Sequence, residues 1–189
     1  MTDSDEQLLG RWKNGDQAAL TELALRYLPQ FYRTARAMSF SHAQSEDVAQ
    51  EVMVKVIRAL DSFRSQDGFR VWSYTILLNT IRTEFQRNRR TRPAGSESFL
   101  ALEAGAAEPI TEFIQREQHA AFETALCNLT ELQRTALVLM HIDGLSAGEI
   151  ASIQACSVDA VYQRISDAKR KLRNDQHLRK VWLEPDEPS

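Results

Sequence analysis

Residues 143–173 read DGLSAGEIASIQACSVDAVYQRISDAKRKLR, and the spacing inside this stretch decides the fold class. Ser146 stands three residues before Glu149. In that S-x-x-E arrangement the hydroxyl and the carboxylate each satisfy a backbone N–H that a helix start would leave open. Ile150 and Ile153 then fall on one face, and the turn Gln154-Ala155-Cys156 is followed by Ser157, a second N-cap. From there Val158, Val161, Ile165, Ala168 and Leu172 recur at steps of 3, 4, 3 and 4, which predicts a buried stripe on a last helix. Asp159, Tyr162, Gln163, Ser166, Lys169 and Arg170 occupy the rest of its surface. Two helices across a three-residue turn, the second with a polar and basic outer face, have the layout of a helix-turn-helix that enters a DNA major groove. Spacing alone fits two packed helices of a bundle almost as well.

The same period extends upstream. Phe122, Leu126 and Leu129 predict one helix, and Leu132, Ala136, Leu139 and Met140 a second that ends at Gly144. Between Thr91 and Glu112 lie Pro93, Gly95, Gly105 and Pro109 with serines and alanines and no sustained apolar period, so this stretch reads as a linker. In the N-terminal half, Ala18, Leu20, Leu23, Ala24, Tyr27 and Leu28 begin a stripe that Phe31, Ala35 and Met38 continue beyond Pro29, with Asp16 placed to cap it. A helix from about Ser45 to Leu60 carries Val48, Val52, Val56 and Leu60 at i+4 steps. Its other face shows Asp47, Gln50, Glu51, Val54 and Arg58. A third helix starts near Phe69, with Trp72, Ile76 and Ile81 inward and arginines toward its end, where cations suit the helix dipole.

Composition agrees. With 43% hydrophobic and 26% charged residues but only 7 Gly and 5 Pro, the 189-residue chain is expected to be all-α rather than turn-dense β or disordered. No apolar run approaches the ~20 residues that cross a bilayer, and the acidic start Asp3-Ser4-Asp5-Glu6 lacks a signal-peptide pattern, so a cytosolic chain is expected. Cys127 and Cys156 read as small buried apolar groups, and the four histidines make no metal-ligand spacing with them. The net charge of -3 hides two basic clusters, one from Arg82 to Arg92 and one from Arg164 to Arg173. No phosphate-binding loop or nucleophile motif suggests an enzyme.

The stretch from Asp143 to Ala151, followed by Cys156-Ser157-Val158, Val161 and Arg164, resembles region 4 of the extracytoplasmic-function (ECF) sigma factors. Asp47-Val48-Ala49-Gln50-Glu51-Val52 and Arg58-Ala59-Leu60-Asp61-Ser62-Phe63-Arg64 are similar to region 2 of that family, as are Phe69, Trp72, Ile76, Asn79-Thr80 and Arg89-Arg90. The resemblance implies two small helical domains: region 2 over 1–92, a linker over 93–112, region 4 over 113–175 and a tail over 176–189. It implies core RNA polymerase bound through Asp47, Gln50, Glu51 and Val54. It assigns the melted -10 element to Phe63, Arg64, Ser65, Gln66, Asp67, Gly68, Asn79, Arg82, Arg87, Arg89 and Arg90. The -35 element falls to Ser157, Tyr162, Gln163, Arg164, Ser166, Lys169 and Arg170.

Phe63 fits core packing as well as base capture, and Trp72 and Ile76 fit the core better than a stacking platform. The family also implies an anti-sigma protein, soluble or anchoring the chain at the inner membrane. No metal, cofactor, catalytic residue or small-molecule substrate is expected. The competing reading is a helix-turn-helix regulator that binds duplex DNA without being a polymerase subunit.

Departures from the family pattern are physical questions for the structure. Thr130 replaces a helix-starting proline but keeps a hydroxyl that can cap. Ala155 replaces a glycine, which costs on the order of 1 kcal/mol if that residue is left-handed. Asp167 places an acid on the outer face of the last helix.

Overall fold

Serine, threonine and aspartate caps set where the helices begin. The computed structural model describes residues 3–38, 40–64, 68–91, 124–126 and 128–175. Asp16 caps α2 (Gln17–Ala37), accepting from the Ala18 N–H at 2.9 Å. Ser41 and Gln44 form a capping box that starts α3 (His42–Ala59) one turn before the Ser45 start that the valine stripe suggests. A 3-10 turn at Leu60–Ser62 follows, and α4 runs over Gly68–Thr91. A further helix, α1 (Asp5–Lys13), was not expected from periodicity; Ser4 and Gln7 box its start, and Leu8 and Leu9 are buried.

Arg11 ties α1 down through Asp3, Asp16 and Glu22 at 2.6–3.0 Å, and its neighbouring guanidinium holds the Asp16 carboxyl below its ordinary range. Arg26 pairs with Asp5 at 2.5 Å, and the Tyr27 hydroxyl donates to the same carboxylate; burial and that carboxylate push the phenol well up.

The first core lies among α2, α3 and α4. Phe31, Val52, Val56, Leu60, Tyr74, Leu77 and Ile81 are essentially inaccessible. Each fully buried aliphatic or aromatic side chain of this kind contributes about 1.5–3 kcal/mol. Phe31 meets Tyr74 edge-on at 5.8 Å, and Tyr27 meets Phe69 the same way at 5.1 Å. Trp72 and Ile76 are half-buried against this core.

In the second half, Thr130 and Gln133 box the start of α5 (Glu131–His141), so the threonine that replaces proline does cap. Ser146 and Glu149 open α6 (Ala147–Gln154) as the sequence predicts, and Ser157 opens α7 (Val158–Arg173). Leu139, Ile150, Val161 and Ala168 are fully buried. Not every expected core residue is buried: Met140 and Leu172 are half-buried at the edge of the core. Leu132 is 39% and Val158 42% exposed, because each sits in the first turn of its helix, at the margin of its neighbours. Cys156 is half-buried, its Sγ 3.0 Å from Arg164 Nη1, rather than an inert buried group; Cys127 lies outside the described residues.

Ala155 is left-handed, at φ 49° and ψ 53°, and is the one non-glycine residue with positive φ among those described. Cys156 N–H donates to Ala151 O at 3.0 Å and Ala155 N–H to Ser152 O at 3.3 Å, the two bonds of a Schellman ending. This turn fixes the angle at which α7 leaves α6. The halves also touch: α6 lies on α4, and α5 meets α2. Among the described residues, no helix is long and apolar enough to cross a membrane, and no cluster of His, Cys, Asp or Glu has metal-ligand geometry.

Candidate polymerase and nucleic-acid interfaces

The outer face of α3 combines acid and hydrocarbon. Val48, Val52 and Val56 are buried, which turns Asp47, Gln50, Glu51 and Val54 out together. Glu51 holds Lys55 at 2.7 Å. Ile57, which the sequence reading missed, is 39% exposed beside Val54 at 44%. The signal was present: two apolar residues three apart, off the buried stripe. Carboxylates repel phosphate, while exposed aliphatics next to them suit a protein partner, so this face has the chemistry of a protein interface rather than a DNA one.

Beyond α3 the chain turns at Phe63, whose ring lies 4.9 Å from Trp72 and 5.9 Å from Phe69. That geometry favours core packing over base capture. Arg64 is exposed, with its guanidinium donating to the carbonyls of Asp61 at 3.0 Å and Phe63 at 2.6 Å. Ser65, Gln66 and Asp67 lie outside the described residues, and Gly68 opens α4 at φ 88°. Arg64 borders an open cleft of about 500 Å³ with Trp12, Lys13, Gln17 and Asp61, so the unforeseen α1 contributes its wall.

On α4, Asn79 is exposed, and Thr83 and Gln86 continue its face at helical spacing. Those two were missed, although their positions i+4 and i+7 from Asn79 were readable. Arg82 is half-buried and bonded to Glu131 of α5 at 2.6 Å. Arg87 is exposed and pairs with Glu84 at 3.0 Å. The side chains of Arg89 and Arg90 lie outside the described residues.

The outer face of α7 is open. Tyr162, Gln163, Ser166, Lys169 and Arg170 are all exposed, and they lie on the side away from Val161, Ile165 and Ala168. Asp167 organises this face: its Oδ1 accepts from Arg170 at 2.6 Å and from Gln163 at 3.3 Å. The acid is therefore compensated by a cation of the same helix, which moderates its repulsion of phosphate.

Two expected DNA residues also have structural tasks. Ser157 caps its own helix through the Ala160 N–H at 3.2 Å, and Arg164 donates to Gln154 Oε1 at 2.5 Å, tying α7 to α6. Lys171 reaches Gln133 Oε1 of α5 at 3.0 Å. Burial, with Lys169 nearby, lowers the His141 pKa and so favours the uncharged ring.

Comparison with known proteins fits this geometry. Residues 23–91 match the family description Sigma-70 region 2, and residues 119–172 match Sigma-70, region 4. The chain is 32% identical to the ECF RNA polymerase sigma-E factor of Escherichia coli over 181 residues, covering 90% of this chain and 93% of that one. It is 30% identical to the RNA polymerase sigma-H factor of Pseudomonas aeruginosa over 182 residues, covering 90% and 92%. Among solved structures, CnrH in complex with the cytosolic domain of CnrY is similar with a TM-score of 0.70 and 29% identity, over 90% of this chain and 96% of that one. The sigma factor RpoE of Bartonella quintana, solved with the anti-sigma factor NepR, shares the fold with a TM-score of 0.61 at 24% identity, over 88% and 98%. With both regions matched in order and nine-tenths of each relative's length covered, the chain belongs to the ECF family of RNA polymerase sigma factors.

Proposed function

We propose that this chain joins core RNA polymerase and directs it to promoters, with residues 1–92 serving polymerase and the -10 element, residues 113–175 the -35 element, and 93–112 joining them. The observation that carries the reading is the acidic and apolar face of α3, built from Asp47, Gln50, Glu51, Val54 and Ile57. A helix-turn-helix regulator working without polymerase would use α5–α7 and leave that face idle. On α4, Asn79 is exposed where an unstacked -10 base can be held, with Arg64, Arg87 and the more distal arginines near the strand. On α7, Tyr162, Gln163 and Ser166 face base edges while Lys169 and Arg170 hold phosphates.

The chain acts by binding, without catalytic residues of its own, and works in the cytoplasm. The solved relatives bound to CnrY and to NepR support an anti-sigma partner for this chain as well. The test is titration of labelled chain with purified core polymerase. Asp47→Lys combined with Glu51→Lys weakens binding roughly tenfold or more, about 1.4 kcal/mol per tenfold, at unchanged thermal stability. Binding equal to that of the parent chain would reject the α3 assignment.

A further inference from the structure

Asp167 does more on the outer face of α7 than offset charge. Its Oδ1 accepts from Arg170 Nη2 at 2.6 Å and from Gln163 Nε2 at 3.3 Å, both within one helix at the spacings where side chains meet. The Asp167 side chain is 24% exposed, while Gln163 one turn before it and Arg170 one turn after it stand open.

That carboxylate fixes which way the amide of Gln163 faces. A carboxylate held by a guanidinium only accepts hydrogen bonds, so the amide must turn its nitrogen, not its oxygen, toward Asp167. One of the two Nε2–H groups is thereby used inside the protein. What remains for a partner is Oε1, an acceptor, with a single N–H donor beside it. Arg170 likewise commits part of its fork to Asp167 and keeps its other N–H groups for phosphate.

In the major groove that pairing of an acceptor with one donor has a single full match. Adenine presents its N6 amine beside the N7 acceptor, and each meets its complement on Gln163. Guanine presents O6 and N7, both acceptors. A glutamine free to turn can offer guanine both of its N–H groups, but here one of them is committed to Asp167. Cytosine gives only a donor and thymine only an acceptor beside its methyl group, so each leaves half of the amide unpaired. The preference is therefore set by Asp167, although the contact is made by Gln163.

We propose that Asp167 is a positioning residue that makes Gln163 a reader of adenine, and that the -35 element of the promoters this chain serves carries an adenine at the step facing Gln163. The proposal rests on the sigma-factor reading, and its test separates the two. Promoter duplexes randomised across the -35 element are bound by the full chain together with purified core polymerase, and the sequences enriched are compared with those enriched by Gln163→Ala. One position loses its preference in the variant, and in the parent selection that position is adenine. There the parent binds adenine at least about tenfold more tightly than guanine, and 7-deazaadenine, which lacks only the N7 acceptor, binds several-fold more weakly than adenine.

Asp167→Ala shows whether the carboxylate acts through Gln163. Alanine is the best helix former, so helical content is unchanged. The adenine-to-guanine ratio shrinks toward unity, and the guanine duplex binds more tightly than it does to the parent, because the freed amide can offer both N–H groups and an acid has left a surface that faces phosphate. A merely structural role for Asp167 would weaken both duplexes together and leave the ratio unchanged, and that result would overturn the proposal. So would a Gln163-dependent position occupied by another base. A pool from which the chain and core polymerase enrich no sequence would overturn the sigma-factor reading itself, and the proposal with it.

Discussion

Replacing Ala155 with glycine should stabilise this protein, although it removes a methyl group and adds no contact. Ala155 sits at φ 49° and ψ 53°, where the Cβ of an L-residue crowds the backbone at a cost of about 1–2 kcal/mol. Glycine relieves that strain but gains unfolded-state freedom worth about 0.4–1 kcal/mol. The net is a gain of about 1 kcal/mol, or about 2–4 °C in a two-state chain of this size. The Schellman bonds from Cys156 to Ala151 and from Ala155 to Ser152 are backbone bonds and survive the change, so α7 keeps its angle to α6 and -35 preference is unchanged. Ala155→Val acts in the opposite direction, because a β-branched side chain fits the left-handed region worst. Urea unfolding of the three chains is the assay, with the m-value checked to show that the unfolded state has not altered the comparison. A midpoint for Ala155→Gly at or below that of the parent would refute the claim that this turn is strained.

Gln163→Ala should change the preference among -35 variants, losing about 1–3 kcal/mol on the preferred base, while Lys169→Ala weakens all sequences alike and flattens the salt dependence; equal losses on every variant from Gln163→Ala would sink the division of labour. Asn79→Ala should leave -35 preference untouched and impair discrimination of -10 single strands, and intact discrimination in a binding series with those strands would remove Asn79 from the site. Burial raises the Asp143 carboxyl above its ordinary value of 3.8, against the opposing effects of Thr34, Tyr74, Arg33 and Arg70. The folded chain then binds this proton more tightly than the unfolded one, so the group's contribution to stability is present in full below the ordinary value and is lost as pH rises through the raised one. Asp143→Asn should flatten that part of the pH profile of unfolding, and parallel profiles for the two chains would contradict it.

What was legible in the sequence was what is local. The valine steps of α3, the S-x-x-E box at Ser146 and Glu149 and the Ser157 cap depend on neighbours within one or two turns, and the structure has them where spacing put them. The α1 helix was legible too and was missed: Ser4-Asp5-Glu6-Gln7 is a capping box, and Leu8 and Leu9 follow it. Exposure at helix margins was not legible, because periodicity assigns a face without saying how far the neighbouring helix extends; Leu132 and Val158 fall beyond that reach. The use of Arg164 required knowing that Gln154 would point back across the turn. Asp143 is the extreme case, since Thr34 stands 109 positions away and no local pattern links them.

The most direct test of the account is promoter-dependent RNA synthesis by purified core polymerase with this chain added, on templates in which the -35 and -10 elements are altered separately. Recruitment through α3 and reading by α4 and α7 predict specific transcripts only when the chain is present. Either altered element should suppress them, and they should be lost with the Asp47→Lys, Glu51→Lys double variant. Duplex binding by the chain with no transcript on any template, or transcript levels indifferent to the double variant, would contradict the account.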